Sequence, residues 1–183
     1  LDGGLGFLSA LSRCRQLESL SLDYNYFIGA LPDHVGNLST KLISFIANQN
    51  KLTGRLPSTI SNLSSLELLD LGYNQLTDSI PESITMMETL VLLDISNNDI
   101  LGPMPTKMGM LLGLERLFLE RNKIFGSIPD SIGNLSRLEY IDLSNNRLSQ
   151  TLPASLFQLQ KLIQVNLSYN SIVGALPNDV AGP

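Results

Sequence analysis

Leu66-Glu-Leu-Leu-Asp-Leu-Gly-Tyr-Asn-Gln-Leu-Thr-Asp-Ser-Ile80, followed by Pro81, is the stretch from which almost the whole chain is copied. Further copies begin at Leu17, Leu42, Leu90, Leu114, Leu138 and Leu162. One asparagine per copy carries the register, with steps of 25, 24, 24, 24, 24 and 24 residues. These asparagines are Asn25, Asn50, Asn74, Asn98, Asn122, Asn146 and Asn170. A fixed period of about 20–29 residues predicts a solenoid in which each coil stacks on its neighbours.

The copies predict one elongated array over residues 1–183 and no separate globular domain. Residues 1–16 are interpreted as a partial repeat, because Leu11, Cys14 and Leu17 keep the spacing of a later copy. That spacing predicts that Cys14 is a small buried apolar residue. The full repeats are expected at 17–41, 42–65, 66–89, 90–113, 114–137 and 138–161, with a truncated one at 162–183.

The two ends of the chain lack the paired cysteines that usually accompany capping coils in secreted solenoids, since Cys14 is the only cysteine. We therefore expect the chain to be an internal segment of a longer array. Apolar end coils without caps would be exposed, which predicts some end-to-end self-association of the isolated segment.

The first half of each copy alternates apolar and polar side chains, as a strand with one buried face does. Copies one coil apart pair only in parallel, so the strands are expected to form one long parallel sheet. The asparagine that follows is predicted to hydrogen-bond backbone groups left unpaired by the inward turn. Its loss would leave buried polar groups unpaired, at about 1–3 kcal/mol.

The second half of each copy contains a position that favours glycine and an apolar residue followed by proline. Glycine suits a backbone with positive φ, although Asp78 and Gln150 replace it in two copies. Proline favours extended geometry before it and begins a helical turn well. The predicted fold is therefore an α/β solenoid, a right-handed superhelix with the parallel sheet on its concave face and short second strands and 3-10 or helical turns on its convex face.

The full repeat resembles the plant-specific subtype of leucine-rich repeat, as in residues 114–137, and the resemblance covers 17–180. That subtype occurs in plant receptor-like serine/threonine kinase ectodomains, receptor-like proteins and polygalacturonase-inhibiting proteins. Phe7-Leu-Ser-Ala-Leu-Ser-Arg-Cys14 and the extra residue in Leu38-Ser-Thr-Lys-Leu42 are similar to immune receptor kinases of this type. The resemblance implies ligand recognition outside the cell.

Composition and motifs exclude several function classes. Twelve basic residues against 17 acidic ones give a net charge of −5, with both signs interspersed, so nucleic acid is a poor candidate partner. No apolar run approaches the roughly 18 residues that span a bilayer, which predicts no direct membrane contact. The single histidine, His34, has no second metal-ligating or catalytic partner nearby in sequence. We expect this segment to be no enzyme and to bind no metal or cofactor.

Four Asn-Leu-Ser triplets match the acceptor pattern for N-glycosylation and favour a secreted chain. The triplet is also what the repeat prefers at that position, which is the simpler explanation for any single site. Asn37, Asn62 and Asn134 are expected on the outer wall, whereas Asn166 is expected within a strand on the concave face. A glycan on Asn166 would block part of that face, so lower occupancy is expected there.

Outward strand residues of successive copies should form columns on the concave face, and the copy at Leu114 differs most from its neighbours. Aromatic and arginine side chains are enriched at binding hot spots. The predicted ligand-contacting residues are Leu92, Asp94, Arg116, Phe118, Glu120, Arg121, Tyr140 and Asp142. The competing interpretation is that the arginines only neutralise the aspartate column.

Three functions remain open from the sequence. The first is the ligand-sensing ectodomain of a plasma-membrane receptor kinase that binds a peptide or protein on its concave face and recruits a co-receptor. The second is a secreted, apoplastic inhibitor of a cell-wall-degrading enzyme, similar to the polygalacturonase inhibitors. The third is a spacer segment of a receptor-like protein. The opening stretch favours the first.

Overall fold

In the computed structural model, which describes residues 4–174, the chain is a solenoid of stacked coils. After a short helix, α1 (Leu8–Leu11), each coil contributes one strand to a parallel sheet whose order follows the chain. The strands of this inner sheet are β1 (Ser19–Ser21), β3 (Ser44–Ile46), β5 (Leu68–Asp70), β7 (Leu92–Asp94), β9 (Arg116–Phe118), β11 (Tyr140–Asp142) and β13 (Gln164–Asn166). Adjacent strands pair between equivalent positions, for example Leu69 with Leu93. The parallel sheet predicted from the period is confirmed.

A second strand follows the regularly spaced asparagine in most coils, and these strands form two smaller parallel sheets of three strands each. One consists of β2 (Ile28–Ala30), β4 (Lys51–Arg55) and β6 (Gln75–Thr77), and the other of β8 (Leu101–Gly102), β10 (Lys123–Gly126) and β12 (Arg147–Leu148). The outer wall is completed by 3-10 helices: η1 (Asp33–Asn37), η2 (Ser58–Asn62), η3 (Glu82–Met86), η4 (Met108–Met110), η5 (Asp130–Asn134) and η6 (Ala154–Gln158).

Proline begins five of these six helices, as the sequence predicts. Pro57, for instance, caps η2 with extended geometry, φ −67° and ψ 136°. The exception is η4, which is capped by Lys107 and begins three residues after Pro105. In the truncated repeat at 162–183, the apolar residue and proline of the pattern are Leu176 and Pro177, and these residues and Val180 after them lie outside the described residues.

The core is a continuous column of aliphatic side chains between the inner sheet and the outer wall. Middle residues of the inner strands, such as Phe45, Leu69 and Leu117, are fully buried. The prediction that Cys14 is buried is wrong, because its thiol is exposed. Cys14 lies in the turn after α1, on the first coil described, where the column has a neighbouring coil on one side only.

The asparagine ladder ties each coil to the one before it. The Asn74 amide nitrogen donates to Leu71 O at 3.0 Å in its own coil and to Ala47 O at 3.0 Å in the preceding coil. Its Oδ1 accepts the Leu52 N–H, also of the preceding coil, at 3.0 Å. The other described ladder members from Asn50 to Asn170 repeat the pattern, whereas Asn25 bonds only within its own coil. From Asn50 onward, each ladder asparagine in the described chain therefore bonds backbone groups of two successive coils.

Candidate functional site

The eight residues predicted to contact ligand lie together on three adjacent coils, and we call them the central patch: Leu92, Asp94, Arg116, Phe118, Glu120, Arg121, Tyr140 and Asp142. The predicted columns are rows of side chains that cross the strands, because β7, β9 and β11 pair in register. Leu92 lies beside Arg116, which in turn lies beside Tyr140. Phe118 lies between Asp94 and Asp142 in the next row. Ligand contact by the patch stays a prediction.

Arg116 stacks on an aromatic ring. Its guanidinium carbon is 5.5 Å from the Tyr140 ring centroid, a cation–π geometry. Together with Phe118, these side chains line a shallow depression of about 280 Å³ on the concave face. Stacking leaves the edge of the guanidinium free to donate hydrogen bonds in its plane. The depression can therefore offer an apolar surface and a fixed positive charge to the same ligand group.

The ion pairs formed within residues 4–174 involve none of the central-patch residues. They join Arg55 to Asp33 at 3.3 Å, Lys123 to Asp99 at 2.6 Å, and Arg137 to Glu115. All are at least partly exposed and contribute little to stability. Arg116 and Arg121 take part in none of them, so within the described chain neither arginine neutralises an aspartate through a direct ion pair.

The aspartate row has a backbone role that the sequence analysis missed. The Oδ1 atoms of Asp94 and Asp142 each accept the backbone N–H two residues later, at 2.9 Å. Asp70 does the same with the Gly72 N–H at 3.0 Å. These bonds satisfy donors at the point where the strand turns inward. The signal was the recurring Asp-x-Ser or Asp-x-Gly spacing at the strand end.

Carboxyl groups are crowded in the middle of the patch. Burial raises the pKa of Asp94, against the lowering effect of its hydrogen bonds with Ser96. Burial also raises the pKa of Glu120, and the nearby charges of Asp142 and Asp94 raise it further. The Glu120 Oε2 atom is buried and lacks a hydrogen-bond partner in the described structure. The patch thus combines an exposed arginine on each side with an acidic centre, and it suits a partner that carries both charges.

The four glycan acceptor asparagines divide into two kinds. Asn37, Asn62 and Asn134 are exposed at the ends of 3-10 helices, and within residues 4–174 their side-chain amides make no hydrogen bond. The Asn166 amide nitrogen instead donates to Asp142 Oδ2 at 2.8 Å, and its Oδ1 accepts from Ser168. A sugar on Asn166 would replace one of the two hydrogens on this nitrogen, which already donates to Asp142 on the concave face. Glycan occupancy at all four sites stays a prediction.

Two other kinds of site are absent from residues 4–174. Between residues 4 and 174, no group of three or more histidine, cysteine, aspartate or glutamate side chains is placed to hold a metal ion. Over the same part of the chain, no helix has the length and hydrophobicity needed to cross a membrane.

Comparison with known families accounts for the repeat. A family profile described as leucine rich repeat matches residues 40–100 and 112–172, and a second profile of the same description matches residues 16–38. The chain belongs to the leucine-rich repeat family. The predicted class of fold and the sequence resemblance are both confirmed by these matches.

The relatives of this leucine-rich repeat chain include plant receptor kinases. It is 44% identical over 70 residues, 38% of its length, to the LRR receptor-like serine/threonine-protein kinase EFR of Arabidopsis thaliana. A solved plant peptide hormone receptor, RGFR1 in complex with RGF2, shares 38% identity over 88% of the chain, with a TM-score of 0.86. The LRR ectodomain of GASSHO1/SCHENGEN3 from Arabidopsis thaliana, in complex with CASPARIAN STRIP INTEGRITY FACTOR 2, shares 36% identity over 91%, with a TM-score of 0.88.

The leucine-rich repeat chain spans only part of these proteins. The matches cover 7% of EFR and 26% and 20% of the two solved receptor chains. What it resembles is therefore a section of a receptor ectodomain of the leucine-rich repeat type.

One feature of the leucine-rich repeat chain gave no sequence signal. The residue before each ladder asparagine has a left-handed backbone, with φ from 52° to 55°. These residues are Tyr24, Gln49, Tyr73, Asn97, Arg121, Asn145 and Tyr169. Only asparagine among them commonly tolerates this conformation, so the residue types do not reveal it. The turn places Arg121 and the three tyrosines at the rim of the inner sheet, with their side chains exposed.

Proposed function

We propose that the chain is a ligand-recognition segment of the extracellular part of a plant leucine-rich repeat receptor kinase, and that the central patch contacts a peptide or protein ligand. The observation that carries this proposal is the Arg116 side chain, exposed, stacked on Tyr140 and free of any ion pair in the described chain. The printed descriptions of the solved relatives support it, since one is a peptide hormone receptor bound to RGF2.

The Arg116 side chain is preorganised for binding. A free arginine side chain loses up to about 2 kcal/mol of rotamer entropy when a partner fixes it. Stacking on Tyr140 restrains Arg116 before the ligand arrives, so less entropy remains to be lost. Phe118 adds apolar surface that is already half-buried between neighbouring strands. Arginine and tyrosine in such surroundings are the residue types that dominate binding energy at interfaces.

We further propose a location and partners for the chain. The chain lies on the extracellular side of the plasma membrane, as part of a glycoprotein, and a co-receptor joins after ligand has bound. The exposed acceptor residues Asn37, Asn62 and Asn134 support exposure to the secretory pathway. The resemblance to immune receptor kinases favours a role in defence signalling.

The test compares two double variants of the parent ectodomain with the unchanged protein as baits for the peptide fraction of plant extracellular fluid. The patch variant is Arg116→Ala with Phe118→Ala. The matched control is Arg147→Ala with Phe125→Ala, a pair of the same residue types that are neighbours in the sheet of β8, β10 and β12 and are both exposed. Retained peptides are quantified by mass spectrometry.

The proposal predicts peptides that the unchanged bait and the control retain and that the patch variant loses by about tenfold or more, as expected for hot-spot residues. Both variants should unfold at nearly the temperature of the unchanged protein. Equal retention by the patch variant and the control would overturn the assignment of the concave face.

A further inference from the structure

The last residues of the six 3-10 helices form a column on the outer wall. In chain order they are Asn37, Asn62, Met86, Met110, Asn134 and Gln158. The three asparagines are the acceptors of the outer-wall Asn-Leu-Ser triplets. Two methionines thus occupy the middle of a column that carries acceptor asparagines on both sides.

The two methionines are exposed. Met86 keeps 68% of its surface accessible and Met110 keeps 45%, whereas Met87 and Met108 beside them are buried. They line a shallow depression of about 500 Å³ together with polar side chains of η3 and of the turn before η4. The polar lining consists of Glu82, Ser83, Thr85, Thr106 and Lys107.

We propose that N-linked glycans on Asn62 and Asn134 lie over this depression and shield Met86 and Met110. Asn62 is one coil before Met86, and Asn134 is one coil after Met110. Both side-chain amides are exposed and unbonded in the described chain, so each is free to carry a sugar. The proposal rests on the extracellular location within the proposed function, because only a secreted chain receives these glycans.

The width of the gap favours sugar over a protein partner. Asn62 and Asn134 are three coils apart, which is about 15 Å if the 3-10 helices keep the spacing of the paired strands. A stable protein interface covers about 800 Å² on each partner, or a patch about 30 Å across. Once both sites carry glycans, a docked protein of that width would therefore meet sugar at both edges. Two glycans that approach from the two edges fit the gap.

The lining also suits a saccharide. The thioethers of Met86 and Met110 offer a polarisable apolar surface to the face of a sugar ring. Lys107, which takes part in no ion pair in the described chain, and the Thr106 hydroxyl are available to sugar hydroxyl groups at the rim. Glu82 is partly engaged, since its Oε1 accepts the Thr106 N–H at 3.1 Å.

The experiment measures methionine oxidation in the full ectodomain secreted from plant cells. Dilute hydrogen peroxide transfers one oxygen to the thioether sulfur, which gives the sulfoxide and water. Peptide mass spectrometry follows Met86 and Met110 and also reports glycan occupancy. Two double variants remove the acceptors by different routes: Asn62→Gln with Asn134→Gln, and Ser64→Ala with Ser136→Ala. Asn37→Gln is the matched control, because Asn37 is two coils from Met86.

Both double variants should oxidise at Met86 and Met110 about threefold faster than the unchanged glycoprotein, since oxidation follows exposure. The control and the buried Met87 and Met108 should show unchanged rates. Equal rates in all proteins, or bare Asn62 and Asn134 in the unchanged protein, would overturn the shielding proposal. Neither result affects the concave-face proposal, which is read out by peptide retention at Arg116 and Phe118.

Discussion

The side-chain amide of Asn98 is the hydrogen-bond partner of four backbone groups. It donates to Leu71 O, Ile95 O and Ser96 O at 3.0–3.1 Å, and it accepts the Leu76 N–H at 2.9 Å. Asn98→Ala should lower the free energy of unfolding by about 3 kcal/mol, because buried polar groups lose their partners. Urea denaturation checks this value.

The control for Asn98 is the first ladder residue. Asn25 is exposed and, among the described residues, bonds only to two carbonyls of its own coil, so Asn25→Ala should cost about 1 kcal/mol or less. Similar losses in the two variants would contradict a ladder that derives its strength from links between coils.

Gln150 occupies a glycine position with a left-handed backbone, φ 70°. Gln150→Gly should raise the free energy of unfolding by about 0.5–1 kcal/mol, because glycine adopts this conformation without steric cost. The reverse change, Gly126→Ala, should destabilise by about 1–2 kcal/mol. A Cβ on Gly126 would meet only Pro103 Cβ, at 3.9 Å, so the loss reports backbone conformation and not a clash. Thermal unfolding should show a higher midpoint for Gln150→Gly and a lower midpoint for Gly126→Ala than for the unchanged chain.

Single residues also show what the pattern could not predict. The glycine preference at Gly126 indicated positive φ, and the structure places even Asp78 and Gln150 in that region. Tyr73 and Arg121 have the same backbone with no such preference, because the turn is imposed by the ladder asparagine that follows and by hydrogen bonds to the next coil. Burial of Cys14 was mispredicted since spacing alone does not tell whether a neighbouring coil covers a residue.

Across neighbouring strands, β7, β9 and β11 bring Asp94, Glu120 and Asp142 close together. The pKa of Glu120 lies above its ordinary value of 4.5 in the folded chain, so the unfolded chain loses this proton at lower pH. Ionisation therefore favours unfolding. The contribution of the Glu120 carboxyl to stability is fully present below its unfolded pKa and is lost as pH rises through its folded pKa.

Glu120→Gln removes that pH dependence. At neutral pH the variant should have a higher free energy of unfolding than the unchanged chain, and this advantage should disappear near pH 4. Denaturation at a series of pH values measures the difference. Parallel curves for the two proteins would show that Glu120 is not affected by burial and by the neighbouring carboxylates.

Strand order and register were predictable because the period fixes which residues of successive coils meet. The sequence did not predict which of these side chains then contact one another. The stacking of Arg116 on Tyr140 joins residues 24 positions apart and depends on the rotamer of each. The sequence could place both side chains in one row, but it could not show that Arg116 lacks a carboxylate partner among the described residues.

At the scale of the whole array, the last inner strand described exposes core positions. Val165 is 43% accessible, whereas Ile141, its partner one coil earlier, is 1% accessible. We predict that the 183-residue chain associates as its concentration rises, and that Val165→Lys weakens this association by placing a charge in the apolar contact. Light scattering over a concentration series provides the measurement. A mass that does not change with concentration would contradict the prediction.

The direction of the ladder bonds has a consequence for how such arrays change length. Asn50 reaches back to Leu22 O and to the Phe27 N–H, and Asn74 makes the equivalent contacts with Ala47 and Leu52. Each described coil, from that of Asn25 to that of Asn146, thus offers the same backbone carbonyl and N–H groups to the asparagine of the next coil. Excising one exact period, such as 90–113, joins residue 89 to residue 114, which begins an equivalent copy. Removing a few residues from a strand instead joins positions of the repeat that are not equivalent. Recombination between copies can lengthen or shorten the protein in whole periods while each product still folds.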